Sequence, residues 1–156
     1  MTGSPELGRQ DADSVKYPET VLHFTSEPER RVDLRIALSA ADRAALSRIG
    51  SGGNFAVITA FDPLGRDLSI EENRQLAARL EVRLQELGHT FVPVDACSPD
   101  GSHREASLAV AMPKGNAVEL AREFGQIAIF WYDGNRFWIV GARAATAAIA
   151  LPRPQE

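Results

Sequence analysis

The sequence predicts an α+β domain built on a ferredoxin-like, split βαβ sheet, with an extra C-terminal hairpin strand and N-terminal decoration. Three observations lead there. From Phe55 onward the pattern runs strand, helix, strand, strand, helix, strand, and then one more strand. Two stretches within that order begin like capped helices and stop at a glycine. The chain has 156 residues, 44% hydrophobic and 24% charged, which suits one domain with a core of its own.

The elements follow in order. Residues 1–16 are polar and rich in Gly, Pro and acids, and read as a disordered leader. Val21–Phe24 and residues 32–38 read as short strands. In the second, Val32, Leu34, Ile36 and Leu38 alternate with polar residues and share a face. Residues 39–49 read as a helix with Ser39 as its N-cap, Asp42 three residues on and Gly50 as its stop. Phe55–Phe61 is apolar on both faces, as an interior strand is.

Asp62-Pro-Leu-Gly65 turns the chain. Ser69 and Glu72 then form a capping box that opens a helix to Leu87, closed by Gly88. Its stripe is Ile70, Asn73, Ala77, Leu80, Leu84 and Leu87. Strands are expected at 90–96 and 105–111, joined by a Pro/Asp/Gly/Ser loop at 97–104. A second helix is expected from Asn116 with Glu119 in the capping position, ending at Gly125. Residues 126–132 and 136–140 form a hairpin of open register. An Asp-Gly turn would pair Trp131 with Arg136, and a Gly-Asn turn would pair Trp131 with Trp138. The domain spans 17–150, and residues 151–156 read as a Pro-broken tail.

Composition removes several function classes. A single cysteine, Cys97, excludes an internal disulfide and suits a reducing, cytoplasmic setting. No apolar run approaches the roughly 20 residues of a membrane span, and residues 1–16 hold no signal-like apolar segment. A net charge of −4 and few basic residues near the aromatics give no nucleic-acid platform. Spacing matches no metal motif, no phosphate loop and no nucleophile series, so no metal and no cofactor are expected. His103, with Asp100 and Glu105, reads as a solvated loop group.

The predicted strand order brings one set of polar residues to one rim. Asp62, Ser69, Asn73, Glu105 and Gln126 would meet there, with Asp100 and His103 nearby. Asn73 stands out because an amide on an apolar stripe costs a few kcal/mol unless it is hydrogen-bonded. Either it serves a buried backbone group or it points into a polar pocket. Glu72 has its capping role, and Asp62 a turn role. Glu105 and Ser107 share a face of an interior strand. The site reading requires Asn73, Glu105 and Gln126 to come within hydrogen-bond reach of one another.

The strings Phe55-Ala-Val-Ile-Thr-Ala-Phe-Asp-Pro-Leu-Gly65, Leu68-Ser-Ile-Glu-Glu-Asn-Arg74, Phe124-Gly-Gln-Ile-Ala-Ile-Phe-Trp-Tyr-Asp-Gly134 and Phe137-Trp-Ile-Val140 resemble a bacterial domain-of-unknown-function family, number 3293, over about residues 55–140. Asp62 stands where the family pattern has Asn, and an aromatic near residues 104–107 is absent. The resemblance carries no reaction or cofactor. It implies that Thr59, Ser69, Glu72, Asn73, Glu105, Ser107 and Gln126 fall on motif positions.

The leading expectation is an accessory domain binding a small polar ligand or a protein partner. Thr59, Asp62, Asn73, Glu105, Ser107 and Gln126 would bind the ligand, and Trp131 and Trp138 would offer a partner surface. One alternative is a small hydrolase or transferase with Glu105 as general acid/base. Another is a protein-interaction inhibitor or immunity-type factor. The sequence leaves oligomeric state open.

Overall fold

A computed structural model describes residues 17–26, 29–49, 53–143 and 147–153. The expected leader at 1–16 and Gly50 lie outside them. The described chain is a mixed α/β structure with three helices and one eight-stranded, fully antiparallel sheet, curled into a half-barrel. In chain order the strands are β1 Val21–Phe24, β2 Arg30–Asp33, β3 Phe55–Thr59, β4 Phe91–Cys97, β5 Arg104–Val110, β6 Ala128–Tyr132, β7 Phe137–Gly141 and β8 Ile149–Ala150. The helices are α1 Ala40–Leu46, α2 Ile70–Leu87 and α3 Lys114–Glu123. Across the sheet the order is β2-β1-β4-β5-β3-β6-β7-β8.

β3 lies between β5 and β6, antiparallel to both, as the element order predicts. Its side chains alternate between two buried faces. Ala56 and Ile58 pack with Leu80 and Leu84 of α2 and with Ala117, Leu120 and Ala121 of α3. Phe55 and Val57 face the other way, toward Leu22, Val32, Leu34 and Leu46, which come from the first two strands, the residue after them and α1. Each large side chain removed from water in this way stabilises the fold by about 1.5–3 kcal/mol. A strand apolar on both faces is therefore covered on both.

The expectation of a four-stranded sheet plus one hairpin strand gives way to something larger. β1 and β2 are not outside decoration but members of the same sheet, joined to it through β4. β8 adds a second strand beyond the hairpin and pairs with β7. Leu151, at the start of the expected tail, is buried in the core cluster and its N–H bonds to the Phe137 carbonyl.

Two boundaries also move, and one helix stripe is only partly buried. The strand expected at 32–38 is β2, Arg30–Asp33, and it stops early. The Asp33 carboxylate accepts the Arg35 N–H at 2.9 Å and its guanidinium at 2.8 and 3.0 Å, and the chain turns there. Leu34 stays buried while Ile36 is 62% exposed. α3 starts at Lys114 behind Pro113, two residues before the predicted Asn116, with no side-chain cap. Only the middle of the α2 stripe meets the sheet. Asn73, Leu80 and Leu84 are buried, whereas Ile70 and Leu87 are exposed.

The capping boxes at Ser39 with Asp42 and at Ser69 with Glu72 both form as the sequence predicts. The hairpin takes the Gly-Asn register, with Trp131 opposite Trp138. The Asp133 carboxylate explains the choice. It accepts the N–H groups of Asn135 and Arg136 and also the Trp138 indole N–H, at 2.8 Å.

Candidate functional site

On the sheet face that α1 covers, a cleft of about 730 Å3 opens at the C-terminal end of β3. That size lies within the range of small-molecule sites. Val57, Thr59, Glu105, Ser107, Ala128 and Phe130 form its floor. The alternation that puts Phe55 in the core puts Val57 and Thr59 here. The 3-10 turn Tyr17–Glu19 forms one wall, and the Tyr17 ring packs edge-on against Phe130 at 5.7 Å. Residues of the 61–67 loop, the start of the 98–103 loop and Gly125-Gln126 form the mouth.

Five of the six expected ligand residues line this cleft: Thr59, Asp62, Glu105, Ser107 and Gln126. Asn73 does not. Its Oδ1 accepts the Asp62 N–H at 2.9 Å, and its Nδ2 donates to Asp62 Oδ1 at 3.0 Å. Of the two roles open to this buried amide, it takes the one that supports the backbone. Asn73, Glu105 and Gln126 therefore do not bond to one another. Gln126 donates to the carbonyls of Phe61 and Phe124, at 3.0 and 3.4 Å. Glu105 meets the His103 ring at 3.0 Å. Ser69 stays in its cap, and Asp100 stays in its own loop with Ser98 and Ser102.

Both buried amides hold one short segment. Asp62 and Leu64 have φ of 45° and 57°, a left-handed conformation that costs non-glycine residues on the order of 1 kcal/mol each. Asn73 clamps Asp62, whose Oδ1 also accepts the Leu68 N–H at 3.0 Å. Gln126 clamps Phe61, and the Leu64 N–H donates to the Gly125 carbonyl at 2.7 Å. Gly125 itself has φ 71°, and a Cβ there would sit 2.7 Å from Pro63 Cβ. The strained loop is thus fixed over the cleft by groups from other parts of the chain.

The electrostatics vary around the site. Burial, with the Glu105 charge adding to it, pushes the Tyr17 phenol well above its ordinary pKa, so it stays protonated. The Ser69 backbone N–H and hydroxyl hold the Glu72 carboxyl below the usual range. The Ser102 N–H and the hydroxyls of Ser102 and Ser98 hold Asp100 down to about 2. Among the described residues no three His, Cys, Asp or Glu side chains gather to hold a metal ion.

Trp131 and Trp138, the expected partner surface, are both half-buried. Trp131 packs against the α2–α3 cluster. Sequence reasoning missed Tyr17, Glu19 and Phe130 as cleft residues. Tyr17 follows the polar leader directly, and its being the first aromatic of the chain was the available signal.

Fold and site together define a small α/β domain with a cleft on the covered face of a curled antiparallel sheet. A family model described as a protein of unknown function (DUF3293) matches residues 58–129, which run from within β3 into β6. The resemblance expected over about 55–140 is therefore found over that segment. No curated protein and no solved structure matches the chain.

Proposed function

We propose that this chain is an accessory binding domain that holds a small polar molecule in the cleft beside β3. The observation that carries the reading is the convergence of Thr59, Asp62, Glu105, Ser107 and Gln126, from three separate stretches of sequence, on one cleft that Tyr17 and Phe130 also line. A loop with two left-handed non-glycine residues at the mouth supports it, since such strain concentrates at ligand sites. We read β3 to β6 with α2 and α3 as a ferredoxin-like split βαβ unit, enlarged by the flanking strands, and the protein as cytoplasmic. Native mass spectrometry of protein taken gently from cells tests the proposal. A retained small molecule that is lost when Ser107→Phe fills the cleft is the expected result. A ligand retained equally by that variant would place binding elsewhere.

A catalytic reading has one specific observation behind it. Glu105 lines the cleft and meets the His103 ring at 3.0 Å, a pairing suited to proton transfer. If a bound molecule is chemically altered by the protein, and Glu105→Gln keeps binding but stops the change, that reading takes over. The partner-surface reading has less support, because neither tryptophan is among the exposed large apolar side chains.

A further inference from the structure

We propose that the cleft is built for a small organic cation rich in N–H donors, an alkylammonium or guanidinium compound; this rests on the cleft being a binding site. The inference comes from which hydrogen-bonding atoms remain once internal bonds are made. Gln126 is 5% exposed, and its Nε2 is fixed by two carbonyl oxygens. Its amide orientation is therefore determined, because only the NH2 end can face two acceptors. The Oε1 atom has no partner and is not among the fully enclosed atoms, so it opens onto the cleft that Gln126 lines.

Ser107 is equally buried and donates its hydroxyl proton to the Glu105 carbonyl at 3.2 Å. Only lone pairs are left to face the cleft. Asp62 uses Oδ1 for Leu68 and Asn73, which leaves Oδ2. Three neighbouring groups thus present acceptors. Carboxylates of Glu19 and Asp67 add negative charge to the lining. Arg66 brings one positive charge to the lining, fewer than the carboxylates there, and the His103 ring meets Glu105. The rings of Tyr17 and Phe130, packed edge-on against each other, also line the cleft. A ligand matching this set donates several hydrogen bonds, accepts few and carries positive charge.

The test is calorimetric titration of the full chain with agmatine, which has a guanidinium at one end and an ammonium at the other. Butane-1,4-diol and succinate, of similar length, are the neutral and anionic controls. Agmatine is expected to bind saturably and more tightly than either control. Asp62→Asn keeps Oδ1 for Leu68 and Asn73 but turns the outward atom into a donor. It should weaken agmatine about tenfold, the loss of one charge-assisted bond. Glu19→Gln, on the opposite wall, should weaken it in the same direction and serves if Asp62→Asn does not fold. Absence of agmatine binding, or control binding as tight as agmatine's, overturns the cation assignment. Where agmatine does not bind, NMR shifts of the Val57 and Ala128 methyls with a mixture of neutral and anionic fragments separate the two claims. Shifts there keep the cleft reading and discard the cation alone. Their absence discards both.

Discussion

Both ends of the Asn73 amide meet one residue, Asp62, and through it hold a peptide in the left-handed conformation. Asn73→Leu would suit the apolar stripe by sequence pattern alone. It should nonetheless destabilise by about 2–3 kcal/mol, because the Asp62 N–H loses its acceptor inside the protein. Urea unfolding checks this through a lowered midpoint. Gly125→Ala makes the same point from the other side of the loop. Its Cβ would meet Pro63, and its φ suits glycine, so a loss of about 1–3 kcal/mol is expected. Asn73 was legible in the sequence as an anomaly, since a polar residue broke an apolar period. Its partner was not, because nothing in the pattern tells a backbone role from a pocket role. Tyr17 and Glu19 were illegible as cleft residues for a different reason. Their role depends on β1 joining the sheet beside β4, a pairing between segments some 70 residues apart.

At the scale of elements, local chemistry was the most readable layer. The two capping boxes, the αL glycine after α2 and the hairpin position all depend on neighbours within five residues. Ser69→Ala should cost about 1 kcal/mol by removing the N-cap acceptor, read as a lower thermal midpoint. The 98–103 loop offers a pH test. Asp100 ionises at about 2 in the folded chain and near 4 in an unfolded one. A depressed folded value stabilises above the unfolded pKa. The contribution is therefore complete above pH 4 and disappears as pH falls toward 2. Urea midpoints measured across that window should fall less steeply in Asp100→Asn than in the parent chain. Where local signals failed, a side chain competed with the backbone. The alternation through residues 32–38 is a good strand pattern, but Asp33 bonds the Arg35 N–H and turns the chain out.

At the scale of the whole molecule, the sheet is curled and covered on both faces. Helices α2 and α3 cover one. Helix α1, the Tyr17 turn and Leu151 cover the other. The order of elements from Phe55 made the central pairings predictable. The joining of β1 and β2 to that sheet was not, because it pairs segments far apart in the chain, and β8 is a two-residue strand with no pattern of its own. Leu151→Ala should destabilise by about 2–5 kcal/mol, as for other buried leucines, although it lies five residues from the C-terminal Glu156. The same covering leaves the cleft where the Tyr17 turn, the 61–67 loop and the ends of β3, β5 and β6 meet.

Chemical-shift mapping tests that account most directly. Amide spectra of the full chain would be recorded while a mixture of small cationic, neutral and anionic compounds is added. The account predicts shifts concentrated at Thr59, Asp62, Ser107, Gln126 and Phe130. Shifts centred on Trp131 and Trp138, or none at all, would contradict it.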